Sequence, residues 1–234
     1  MKKIAFVFAL CAIVASSAAA EDYPILSAGG GGMNPLDSDR TVIWEDTANL
    51  DGSIASSEQI LEFGLESELS NDFLLEVDGT ICKWTWWGGY YNYLPGDPLA
   101  TFWIGRIYDD GGCVPFSMLA EVVTADNANE TFIYDQAGYP VYEYFFCECY
   151  TFAPNLYWFS AIAGDHAFPP QWGRLQADVT QLCDTVFQSA YFAFPDWVPA
   201  ADVFGYVYEA SARMEDDCGV PTEETTWGSI KSLY

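Results

Sequence analysis

An all-β, antiparallel two-sheet sandwich of the jelly-roll kind, cross-linked by disulfides, is the fold class this sequence predicts. Three observations carry the prediction. From Thr41 onward the apolar residues come in short runs rich in Phe, Tyr, Trp, Val and Ile, which suit a pleated, half-buried surface. Turn-forming Gly, Pro and Asp clusters separate these runs at short intervals. No long segment keeps a helical period, and residues 56–69 are the best helix candidate.

The chain opens Met1-Lys2-Lys3, followed by an apolar run from Ile4 to Val14 and by Ala18-Ala19-Ala20 before Glu21. A basic start, a short apolar segment and a small-residue cleavage site read as a signal peptide over 1–20. The run is too short to span a bilayer, so membrane insertion after cleavage is not expected. Residues 21–40 contain Gly29-Gly30-Gly31-Gly32 and read as a flexible linker. The sandwich is expected over 41–212, and an acidic linker with a C-terminal tail over 213–234.

Within the domain the expected strands are 41–45, 72–77, 81–87, 100–108, 118–124, 131–134, 141–152, 156–163, 186–194 and 203–209. Turns are expected at Asp78-Gly79, Gly88-Gly89, Pro95 to Pro98, Asp109 to Gly112 and Gly138 to Pro140. No repeat recurs at a fixed period.

Six cysteines follow the leader: Cys82, Cys113, Cys147, Cys149, Cys183 and Cys218. An even number in an exported chain points to disulfides, with the pairing left open. On one strand Cys147 and Cys149 share a face, so they are expected to bond different partners rather than each other. Cys147-Glu148-Cys149 lacks the second close Cys or His pair that a structural zinc site needs.

The stretch Lys83 to Tyr93, KWTWWGGYYNY, has six aromatic rings in eleven residues. Strand alternation puts Cys82, Trp84 and Trp86 on one face, which reads as sandwich interior. Lys83, Thr85 and Trp87 share the other, more polar face. Trp87 with Tyr90, Tyr91 and Tyr93, at an expected strand end and loop, are the candidate ligand-binding residues. Their alternative is an edge packed by a neighbouring loop.

After the leader, six Lys and Arg stand against 34 Asp and Glu, a formal charge of about −28. Nucleic acid and anionic membranes are excluded as natural partners of such a surface. Cations, basic surfaces and neutral polymers are not. The chain has a single histidine, His166, and lacks a Gly-x-Ser-x-Gly elbow, a zinc-peptidase motif, a phosphate loop and a dinucleotide fingerprint. Glu76-Val77-Asp78 starts like a glucanase strand, but the second glutamate is missing. No cofactor is expected, with calcium as the one ion the composition admits. Its candidate ligands are Asp109 and Asp110 in one loop and Asp126 and Asn127 in another, with Asp37-Ser38-Asp39 as a further acidic turn.

Several segments in order resemble a loose, uncharacterised group of exported bacterial β-sandwich proteins. SNDFLLEV resembles their Asp-Phe strand, ICKWTWWGGYYN their Trp-Gly-Gly-Tyr strand, NLYWFSAIA their Tyr-Trp strand and ADVFGYVYE their closing Asp-x-x-Phe strand. The ending TTWGSIKSLY is similar to a short tail on exported proteins of some bacterial lineages. The resemblance implies a sandwich fold and export, and carries no catalytic residues. The function expected is an exported, non-catalytic binding module at the cell surface, in the periplasm or outside the cell. A glycan or another surface protein is the expected partner. The alternative is a structural component of a surface assembly, and a glycoside hydrolase ranks below both.

Overall fold

The computed structural model describes residues 41–125, 130–136, 139–166, 168–178 and 182–219. The expected leader, the Gly-rich linker, the Asp126–Asn127 loop and the chain beyond Gly219 lie outside the described residues.

The strands are β1 (Val42–Asp46), β2 (Ile54–Ser56), β3 (Gln59–Ile60), β4 (Leu65–Glu66), β5 (Glu68–Leu75), β6 (Gly79–Tyr91), β7 (Phe102–Asp110) and β8 (Pro115–Ala125). They continue with β9 (Glu130–Gln136), β10 (Tyr139–Phe152), β11 (Asn155–Ala163), β12 (Gln171–Leu175), β13 (Val186–Ser189), β14 (Phe194–Pro199) and β15 (Ala212–Glu215). A short α-helix, α1 (Ala200–Phe204), follows β14, and a 3-10 turn at Leu61–Phe63 separates β3 from β4.

Two antiparallel sheets pack face to face. One runs β1-β15-β6-β10-β9, with β12 also pairing β6 and β2 pairing β12. The other runs β14-β13-β5-β11-β7-β8. The expected sandwich is therefore the observed fold. Strand β6 organises the first sheet, because one of its edges serves two strands in succession. Lys83 to Trp86 pair with β15, and Gly88 to Tyr91 pair with β12.

The interior is aromatic. Trp84, Trp86, Trp103, Trp172, Phe73, Phe146, Phe159 and Tyr144 are all buried in one cluster. Trp86 stacks on Tyr144 at 5.7 Å, and Trp103 lies 4.2 Å from Tyr144 and 4.6 Å from Trp172 between ring centroids. Trp84 and Trp86 thus occupy the interior face, as alternation requires.

Gly88-Gly89 is not a turn. Both glycines lie inside β6, and the reason is close approach of neighbours. A Cβ on Gly88 would sit 2.3 Å from Trp172 Cζ2 and 2.5 Å from the Gly173 carbonyl oxygen. Gly88→Ala should therefore destabilise the fold by about 2 kcal/mol, an overpacking cost. Urea denaturation measures it, and an unchanged midpoint would show that Trp172 can move aside.

The expected helix at 56–69 is instead the end of β2, then β3, a single 3-10 turn at Leu61–Phe63, β4 and the start of β5. Its serines bond across the structure, where a helix would leave them on a surface. Ser56 and Ser67 hydroxyls meet at 2.6 Å, and Ser57 Oγ donates to the Ala161 carbonyl at 2.7 Å. The expected strand at 203–209 is the end of α1 and a loop, because Gly205 at φ 79° closes the helix in the left-handed region. The run 186–194 breaks into β13 and β14 at a turn where Ala193 has φ 70°. The domain edge drawn at 212 falls on the first residue of β15, so Arg213 to Glu215 belong to the sheet.

Cys82 bonds Cys149, Cys113 bonds Cys183 and Cys147 bonds Cys218. Cys147 and Cys149 have different partners, as expected. Three disulfides belong to an oxidising, extracytoplasmic compartment. Each closes a separation of 67 to 71 residues. Loop closure of that length is worth about 4 kcal/mol per bridge in the chain-entropy account.

Candidate ligand-binding surface

The face of β6 carrying Lys83, Thr85 and Trp87 is closed by its neighbours. Lys83 pairs with Glu215 at 2.8 Å and lies over the Phe145 ring. Trp87 is buried among Val141, Leu175 and Ile54, with the Arg213 guanidinium over its ring at 5.4 Å. Tyr90 is also fully buried, and its hydroxyl accepts the Ala100 backbone N–H at 3.0 Å. Burial and the nearby Glu130 charge push its pKa up. Trp87 and Tyr90 therefore do not form a surface platform. Strand β6 runs past Gly89 to Tyr91, and its continuation buries both rings.

Tyr91 and Tyr93 stand where the strand ends. Asn92 between them has φ 60°, a conformation asparagine tolerates better than most residues. This kink directs the chain into the next loop. That loop is fixed by a reciprocal pair: Leu94 N donates to Asp97 Oδ2 at 2.7 Å, and Asp97 N to the Leu94 carbonyl at 2.9 Å. An open groove of ≈ 560 Å³ results, lined by Asn92, Tyr93, Leu94, Tyr139, Phe168 and Pro169. Tyr91 does not line it but supports it, with its ring 5.0 Å from that of Tyr139. Phe168 is 46% exposed and Leu94 65% exposed, so the rim is apolar and open to solvent. Leu61 and Phe63 extend the exposed apolar surface, and Phe63 meets Phe168 edge-on at 6.1 Å.

Two aromatic members of the groove, Tyr139 and Phe168, were not picked out from the sequence. The available signal was an aromatic ring before proline: Tyr139-Pro140 sets one on the first residue of β10, and Phe168-Pro169-Pro170 sets one in the loop before β12.

The acidic turn at Asp109–Asp110 is occupied by internal bonds. Asp110 Oδ1 accepts from Cys113 N and Trp158 Nε1, and its Oδ2 accepts from Gly112 N. Asp109 Oδ1 accepts from Asp110 N and Asn155 Nδ2. Among the described residues, no three His, Cys, Asp or Glu gather as a metal-holding group. Asp37, Asp39, Asp126 and Asn127 lie outside the described residues.

His166 sits in the loop after β11 and is buried. Its Nε2 lies 3.0 Å from Glu58 Oε2, and the same oxygen accepts the Trp172 backbone N–H at 2.7 Å. No protein-family model, curated protein or solved structure matches the chain.

Proposed function

We propose that the protein is an exported, non-catalytic binding module of the cell surface or extracellular space, and that a glycan lies in the groove of Tyr93, Tyr139 and Phe168. The observation that carries this reading is the groove itself: rigid rings on a sandwich end, open to solvent, with Tyr hydroxyls and Asn92 beside them. Sugar rings present apolar C–H faces to aromatic rings and hydroxyls to amides, so the lining fits both needs. The acidic surface favours a neutral polymer over an anionic one. The burial of His166 against Glu58 supports a role without catalysis. Nucleic acid and membrane are not partners in this reading, and no cofactor is required.

A glycan array with Glu21–Tyr234, with and without calcium, tests the proposal. Tyr93→Ala and Tyr139→Ala should each weaken binding by about tenfold, the loss of one stacking partner. Both should melt like the parent protein. Binding that survives both substitutions would sink the groove assignment.

A second reading, assembly with copies of itself or another surface protein, is supported by β8. Among the described residues this strand is a sheet edge, pairing with β7 alone, and it exposes Phe116, Met118, Leu119 and Val123. Long apolar edges recruit further strands. Concentration-dependent oligomers that vanish on Met118→Lys would favour it.

A further inference from the structure

The exposed apolar surface at the groove end of the sandwich continues past the groove itself. Phe63 lies outside the groove lining and is 49% exposed. It stands against Phe168 at 6.1 Å, with the two ring planes at 89°. Both rings keep a free surface, so they form a step rather than one flat shelf.

The step is fixed from beneath. Phe63 sits on the 3-10 turn that Gly64 closes at φ 62°, with the Gly64 N–H on the Leu61 carbonyl at 3.1 Å. Leu61 N donates to Asp165 Oδ1 at 2.9 Å, which pins the turn to the loop after β11. Glu58 stands at the root of the β3–β4 hairpin, exchanging both backbone hydrogen bonds with Ser67. Its carboxylate is buried, lying 3.0 Å from His166 Nε2 and accepting the Trp172 backbone N–H at 2.7 Å. One side chain thus brackets the loop that carries Phe168 and Pro169, and its own chain leads into the turn that carries Phe63. The right angle between the rings is therefore set before a ligand arrives, which lowers the ordering cost of binding.

The chemistry of the lining narrows the ligand. No charged residue lines the groove. The charges at the step are Glu62 on the turn and Asp165 at its anchor, both exposed and both acidic, so an anionic sugar is repelled. Polar groups are few, with Asn92 and the Tyr hydroxyls facing the rings of Tyr93, Tyr139 and Phe168. Such a lining favours the sugar with the flattest apolar faces, which is glucose, whose ring hydroxyls are all equatorial. The step then selects among glucose polymers. A ribbon of the cellulose type keeps its ring faces nearly in one plane and can stack on Phe168 or on Phe63, but not on both. A chain whose backbone turns between residues, of the laminarin or the amylose type, presents successive apolar faces at an angle and can engage both rings.

We propose, building on the glycan reading of the groove, that its ligand is a neutral glucan with a turning backbone, and that Phe63 is the further stacking position that selects it. Tyr93 and Tyr139 hold the sugar in the groove, Phe168 forms the corner, and Phe63 takes the sugar beyond it. Specificity here is the difference between a chain that reaches two perpendicular rings and one that reaches a single ring.

Isothermal titration of Glu21–Tyr234 with laminarihexaose, maltohexaose and cellohexaose tests this. One of the first two should bind about tenfold tighter than cellohexaose, and which one does so names the linkage. Phe63→Ala, at an exposed position, should weaken that chain by about tenfold, the loss of one stacking ring, and so erase the preference. Tyr93→Ala should weaken every hexaose that binds. Equal or tighter binding of cellohexaose, or a preference that survives Phe63→Ala, would overturn the turning chain, while Tyr93-dependent binding would leave the glycan reading standing. Absence of binding by all three hexaoses overturns this inference, and a glycan array without a Tyr93-dependent hit overturns the glycan reading as well.

Discussion

Arg174→Ala should cost the fold about 4 kcal/mol or more, combining a cavity with buried carbonyls left unpaired. Arg174 sits on β12 in the first sheet and is fully buried. Its guanidinium crosses to the second sheet, where it donates to the carbonyls of Phe159 on β11 at 3.2 Å and Leu69 on β5 at 3.4 Å. A third donation reaches the Ser211 carbonyl at 2.8 Å. The Phe159 ring lies under it at 5.5 Å. One side chain thus ties both layers and the chain entering β15. Burial lowers its pKa to about 10, against the opposing pull of Tyr208, Glu209 and Asp46, so it stays charged at neutral pH. Arg174→Met separates the two contributions, because it refills most of the volume and removes the donors. Arg174→Lys should fall between, since an ammonium cannot span three carbonyls with a planar fork. Urea denaturation of the three variants orders them. A loss below about 1 kcal/mol for Arg174→Ala would mean that the carbonyls find other donors.

This bolt explains part of what the sequence concealed. The expected strands leave out Trp172-Gly173-Arg174, and a lone arginine beside glycine is ordinarily a surface residue. Only the tertiary fold supplies its acceptors. The same holds for Gly88-Gly89, where a turn signal and a close-approach signal are written with the same residues. The outcome moved Trp87 from a supposed strand end, and Tyr90 from a supposed loop, into the packed sheet. The features that were legible depend on local alternation or on compartment: the interior faces of Trp84 and Trp86, the β character of 100–108 and 156–163, and the separate partners of Cys147 and Cys149. Those that were not legible depend on distant neighbours. The serines of 56–67 bond across the sandwich, and Tyr139 and Phe168 reach the groove from segments remote from Tyr93. The aromatic count of Lys83 to Tyr93 therefore splits, with its first four rings buried and Tyr91 and Tyr93 left at the groove.

Stability should fall as pH rises from about 6 to about 9, and Glu209→Gln should remove most of that slope. Glu209 is buried, and burial first, then the charges of Asp46 and Asp72, push its carboxyl up to about 9. The Thr185 hydroxyl, donating to its Oε1 at 2.8 Å, opposes the shift only in part. A carboxyl with a raised folded pKa holds its proton in the native state while the unfolded chain has released it. Its contribution is then fully present below the ordinary value of 4.5 and is lost as pH climbs through the folded value. Asp72, raised to about 6 from 3.8, acts in the same sense but is exhausted by neutrality. Above pH 6 the slope should therefore belong mainly to Glu209, at most about 1.4 kcal/mol per pH unit for one proton. Exposed carboxylates are already ionised in that window, so general self-repulsion adds no gradient. Glutamine preserves the acceptor for Thr185 and cannot ionise, so the variant should equal the parent near pH 5 and exceed it at pH 9. Thermal melts at unit pH intervals measure the difference. Parallel curves for parent and variant would show that Glu209 is ionised in the folded protein, and the Asp46, Arg174 and Glu209 interior would then be held by charge pairing rather than by a retained proton.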